Sequence, residues 1–218
     1  MSPVPPKPLP HQLPKPLFRL EITDLSHPGA VAFLSHIDLT AILSDAVKNV
    51  ITTLYLHSSA IPAVRSITLI LKPEGGVAST TGLDYDDEHK RITFSTEYIK
   101  HVAHQRVKEE ILGVVTHEMV HCWQWAAFGT APPGLIEGVA DWVRLRCGLS
   151  PPHWKQEPGG QWNAGYQHTA YFLDYLEGRY GSGTVPKINS ALREKRYEEG
   201  AFWKGLLGKE IEALWDEY

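Results

Sequence analysis

The chain predicts an α+β protein: a small mixed sheet with helices in the N-terminal half, then a mainly helical C-terminal sublobe. Three observations predict it. Strand-like segments are confined to the first 95 residues, helical periodicity dominates from residue 97 onward, and neither an internal repeat nor a clean linker divides the chain. The expected organisation is a proline-rich disordered tail over residues 1–16 and one domain over residues 17–218.

The tail holds seven prolines, too many for regular structure. Phe18 to Ile22 alternates polar and apolar residues and reads as a first strand. Residues 37–54 place Leu39, Ile42, Leu43, Val47 and Val50 on one side of a helix, with Asp38 or Thr40 as its cap. Ser66 to Leu71 is a β-branched run closed by Pro73-Glu74-Gly75-Gly76, and Val77 to Thr81 is either a short strand or a loop. Arg91 to Ser95 alternates as a half-exposed strand does. Helices are expected at 97–103, 105–126, 133–147, 163–179, 187–197 and 208–216, with a long Gly-, Pro- and Trp-rich loop from Leu149 to Trp162.

Composition removes several function classes. A formal net charge of −4, with Lys and Arg scattered, argues against a nucleic-acid surface. No run of eighteen apolar residues is present, so no membrane-spanning helix is expected. The first residues lack an apolar signal core, which places the protein in the cytoplasm if this start is native. Cys122 and Cys147 make no disulfide framework; buried free thiols are expected, with a single bridge or ligation by Cys122 as alternatives.

The chemistry is concentrated in Thr116-His117-Glu118-Met119-Val120-His121. Histidines four apart stack on one helix face and converge on one ion, and Glu118 beside them can reach a metal-bound water without being a ligand. An HExxH string is short enough to arise by chance. The segment from Pro132 to Asp141 makes chance a poor explanation. Pro132-Pro133-Gly134 can open a helix, with Pro133 suited to its first position. Glu137 and Asp141 then share one face of a mostly apolar helix. Two carboxylates there need a positive partner. Glu137 is read as the third ligand and Asp141 as the acceptor that fixes a histidine tautomer. The reverse assignment stays open, as does an ion pair of either carboxylate with Arg144. Gly138 is expected to let two helices approach closely. Two imidazoles, one carboxylate and water form the usual catalytic Zn2+ site. His101 and His104 read as a solvated helix face.

At this point the chain resembles the plant basic secretory protein family, which has fungal and bacterial members. The likeness rests on Gly76 to Ala78, Ile92 to Ile99, His117 to Gln124, Gly134 to Arg144 and Gly165 to Leu173, and spans roughly residues 17–195. It implies a zincin-like fold and zinc-dependent peptide hydrolysis, with peptide or protein as the partner. The Glu137 and Asp141 pair also resembles the thermolysin-like pattern, although the spacing from His121 is shorter. The chain is mildly acidic rather than basic, so secretion and defence roles are not carried over.

The expected reaction is peptide hydrolysis through a metal-activated water with Glu118 as general base, on internal rather than terminal bonds. Tyr166 and His168 are the candidate donors to the developing oxyanion. Arg91–Ser95 is the candidate edge strand for substrate pairing, with Gly75-Gly76 and Ala78 to Thr81 as the rim. Aromatics at Trp123, Trp125, Trp142, Trp154 and Trp162 line either the cleft or the core. The alternatives are a zinc amidase acting on a non-protein amide and a metal-stabilised binding protein without turnover. The sequence leaves the oligomeric state open.

Overall fold

The computed structural model describes residues 13–56, 59–157 and 159–218. Most of the tail expected over residues 1–16 therefore lies outside the described residues, and 13–16 carry no regular structure. The chain enters at β1 (Leu17–Ile22) and crosses over through α1 (Pro28–His36) and α2 (Leu39–Leu54). It returns as β2 (Ser66–Lys72), β3 (Ala78–Leu83) and β4 (Asp86–Ser95). The sheet order is β1-β2-β4-β3, with β1, β2 and β4 parallel and β3 antiparallel to β4. Ser66 to Leu71 are all buried, as expected of a strand with parallel neighbours and both faces covered.

Helices follow: α3 (Thr96–Ile99), α4 (Val107–Trp123), α5 (Pro133–Arg146), α6 (Tyr166–Tyr180), α7 (Thr184–Ala191), α8 (Glu199–Leu207) and α9 (Ile211–Asp216). The α+β expectation holds. Two helices, α1 and α8, were not legible. Helix α1 is nine residues starting at Pro28, capped by His27, and its apolar residues spread round the cylinder rather than forming a stripe. Helix α7 begins earlier than expected because Gly183 at φ +97 starts it, and it stops at Ala191.

Arg91–Ser95 is not an edge. Strand β4 is paired on both sides, so its backbone groups are already used; the sheet edges are β1 and β3. The Val77–Thr81 segment, ambiguous between strand and loop, is mostly the edge strand β3.

Helix α4 is the keel. It packs against α2, α5 and β3, and thirteen of its seventeen residues are buried. Its last carbonyls need partners, and the Tyr55 hydroxyl donates to the Trp123 carbonyl. Helix α5 approaches α4 where Gly113 leaves room for the Arg144 side chain. The expected close approach at Gly138 is real, but its neighbour is α6: a Cβ there would meet Thr169 Cγ2 at 2.3 Å and Cβ at 2.5 Å. At the C-terminus Ile211 and Leu214 are buried, and Trp215 packs edge-on against Phe172 at 5.0 Å, closing the helical half.

Gly138→Ala therefore overpacks the α5–α6 contact. We expect a loss of about 1–3 kcal/mol, seen in calorimetry as a fall in Tm of roughly 2–4 °C for each kcal/mol. An unchanged Tm would contradict the packing account.

Candidate metal centre

Helix α4 carries His117 and His121 one turn apart, with Nε2 atoms 3.2 Å from each other and ring planes at 81°. Helix α5 brings Glu137 to the same corner: its Oε2 lies 3.1 Å from His117 Nε2 and 3.7 Å from His121 Nε2. Donor atoms of His117, His121 and Glu137 all fall within 4.8 Å of one another.

The opposite ring nitrogens are also held. Asp141 Oδ1 accepts from His117 Nδ1 at 2.6 Å, and both groups are buried. Gln124 Nε2 donates to the Ile136 carbonyl at 2.9 Å, which turns its Oε1 toward His121 Nδ1 at 3.0 Å. With a cation at the shared corner, each imidazole keeps its proton on Nδ1 and directs the Nε2 lone pair to that corner. Gln124 was not recognised as a site residue from sequence. It follows the helix in extended backbone, and only the fold shows it reaching both His121 and α5.

Charge tells the same story. Glu118, Glu137 and Asp141 surround two imidazoles. Burial alone would push the His117 imidazole down, but hydrogen bonds to Asp141 and Glu137 outweigh it and hold it up at about 10. Burial likewise raises Glu137, and the hydrogen bonds from His117 and His121 overcome it and hold the carboxyl well below its usual range. The cluster requires positive charge, either a proton or a cation at the corner. The donors fit a cation: tetrahedral ligands about 2.0 Å from one ion lie about 3.3 Å apart, close to the observed Nε2 separation.

Arg144 pairs with neither Glu137 nor Asp141. Its Nη2 donates to Glu110 at 3.0 Å, its Nε donates to the Leu149 carbonyl, and its face lies over Trp154. Both cysteines are free: Cys122 is buried with Sγ 3.7 Å from the Glu118 carbonyl, and Cys147 lies beside Thr53. His104 faces His36, Nε2 to Nε2 at 3.2 Å.

A cleft of about 980 Å3 opens over the corner. Gly76 to Thr80 form one wall, which takes in most of the rim expected from sequence but not Gly75 or Thr81, and the Pro151–Trp154 part of the long loop contributes to another. Of the five tryptophans considered, Trp154 lines the cleft; Trp123, Trp142 and Trp162 are buried in the core. Thr80 donates to Glu118 Oε2 at 2.7 Å. Tyr166 follows Gly165 (φ +88), sits itself at φ +47, and lays its ring parallel to His117 at 6.4 Å. A bulky residue with positive φ is strained, and such strain is kept where it aims a side chain. The Glu137 charge and partial burial raise the Tyr166 hydroxyl, so it remains a donor. His168 does not join this group. It turns to Trp215, 5.2 Å between rings, with its Nε2 buried and unpaired.

A fold of this kind, with an HExxH helix packed directly against an acidic helix at the floor of a cleft, defines a metal-dependent peptidase. The profile of the BSP family, described as peptidase of plants and bacteria, matches residues 15–218, and the chain belongs to that family. Neither the curated proteins nor the solved structures contain a match to it.

If Asp141 fixes the His117 tautomer, Asp141→Asn weakens metal binding by roughly 10- to 100-fold. Competition against a chromogenic chelator reads this directly. Unchanged affinity would remove Asp141 from the account.

Proposed function

We propose that this protein is a zinc endopeptidase in which His117, His121 and Glu137 hold the ion, Glu118 is the general base and Tyr166 steadies the oxyanion. The observation that carries the reading is the convergence of both Nε2 lone pairs and the Glu137 carboxylate on one corner, with each Nδ1 tied back by Asp141 or Gln124. Two neutral imidazoles and one carboxylate are a borderline-soft set with room for further ligands, which suits zinc. When bound, zinc supplies Lewis acidity toward water and the scissile carbonyl.

The chain's own residues do the rest. Glu118 lines the cleft beside the corner and is 5% exposed, so its carboxylate is shielded from bulk water yet faces the substrate side. It accepts a proton from the attacking water and passes it to the leaving amine. Tyr166 stands over the His117 side of the corner with its hydroxyl protonated, which fits a donor to the developing oxyanion. The open edge of β3 offers main-chain groups to an extended peptide.

Preference for internal bonds follows from charge. Among the described residues that line the cleft, the carboxylate, imidazole and guanidinium groups beyond Glu118, Glu137, Asp141 and the two ligand histidines are His153, Glu110 and Arg144, and the last two pair with each other at 3.0 Å. Neither is offered to a free amino or carboxyl terminus. The zinc amidase alternative predicts turnover of small amides with proteins untouched, and the binding-protein alternative predicts no turnover.

The test compares wild type, Glu118→Gln and Tyr166→Phe on an unbiased peptide library, with bound zinc quantified in each. One zinc per chain is expected throughout. Glu118→Gln should lower kcat by roughly 10²–10⁴-fold, and Tyr166→Phe by roughly 10²–10³-fold, with cuts at internal bonds. Equal rates for wild type and Glu118→Gln would overturn the base assignment, and trimming confined to chain ends would overturn the endopeptidase reading.

A further inference from the structure

We propose that Thr80 is a positioning residue for the general base, and that through it the strand that takes the substrate also aims Glu118. The inference rests on the peptidase reading above. Along β3 burial alternates: Ala78, Thr80 and Gly82 are half-buried, and Ser79, Thr81 and Leu83 are exposed. The half-buried set faces α4, which packs on this strand. From there Thr80 Oγ1 lies 2.7 Å from Glu118 Oε2 and 3.0 Å from the Glu118 main-chain oxygen.

Among the described residues no other group hydrogen-bonds the Glu118 carboxylate, which is almost fully buried. Without Thr80 a buried carboxylate would have no protein donor and no fixed rotamer. A hydroxyl has one proton and two lone pairs. Toward an ionised carboxylate it donates to Oε2 in a charge-assisted bond. The Glu118 main-chain oxygen is within reach of the same hydroxyl, so Thr80 is seated against both the backbone and the carboxylate of the residue it positions.

The second consequence is geometric. Thr80 pairs with Ile92 on its inner side, and the other side of β3 is the open edge on the cleft. A peptide paired to that edge and the carboxylate that serves it are then referenced to the same residue. Misplacing a catalytic group by 1 Å costs about 100-fold in rate, so a direct tie between strand and base controls kcat more than affinity.

Thr80→Val keeps the shape and removes the hydroxyl; Thr80→Ser keeps the hydroxyl. Both are compared with wild type and Glu118→Gln for kcat, KM and zinc content, and metal-free crystals of wild type and Thr80→Val are solved. In Thr80→Val we expect kcat to fall roughly 10- to 100-fold, with KM within about twofold and zinc retained. Thr80→Ser should recover most of the rate. In the crystals the Glu118 carboxylate should hold its position in wild type and leave it in Thr80→Val. The proposal is overturned if Thr80→Val turns over like wild type, if Ser and Val are equally impaired, or if the Glu118 rotamer is unchanged. Equal inactivity of wild type and Glu118→Gln would instead sink the peptidase reading, and the two crystal structures would still decide the role of Thr80.

Discussion

A buried carboxylate on one helix meets a buried imidazole on another: Asp141 on α5 and His117 on α4, at 2.6 Å. Neither group is tolerable alone at that depth. Together they fix the rotation of α5 against α4, and that rotation carries Glu137, one turn before Asp141, to the Nε2 side of the same ring. The tautomer of His117, the place of the third donor and the direction of the cleft all follow from this contact. Gln124 plays the matching part at the other histidine, where it joins the end of α4 to the Ile136 carbonyl of α5.

The surrounding architecture makes this contact rigid. Helix α4 is buried on nearly all sides, and its C-terminal end is held by Tyr55 from the end of α2. Helix α5 is held from behind by α6 at Gly138. The sheet contributes through its edge strand, whose Thr80 reaches the base. Elements distant in sequence, α5 and β3, thus converge on His117, Glu118 and His121 of α4. A site that must keep geometry to within fractions of an ångström is better built on such elements than on loops. Tyr166 opens α6 in a strained conformation, directly after Gly165.

Much of this was legible in the sequence, for a simple reason. Spacing within a helix is fixed by its pitch, so His117 with His121, and Glu137 with Asp141, define shared faces through their spacing alone. The same logic found α2, α4, α5 and most of α6, and the α+β division followed from where strand-like segments stop. What failed depended on pairing. Arg91–Ser95 alternates like an edge strand, yet it lies between β2 and β3, because strand order is a tertiary property. Helices α1 and α8 are short, and packing rather than periodicity holds them. Gln124 and Thr80 are ordinary residues in sequence; only the meeting of α4 with α5 and β3 gives them work. His168 and Tyr166 looked alike as donors two positions apart, and the helix turns them in different directions, one to Trp215 and one to the cleft.

The central claim is that one ion is held by two imidazoles from α4 and one carboxylate from α5. X-ray absorption at the zinc edge, on zinc-loaded protein, tests it without reference to any substrate. The account predicts two imidazole nitrogens with oxygen completing the shell, all about 2.0–2.2 Å from zinc, and a changed oxygen shell in Glu137→Gln. A sulfur neighbour at about 2.3 Å, a third imidazole, or a spectrum indifferent to Glu137→Gln would contradict it.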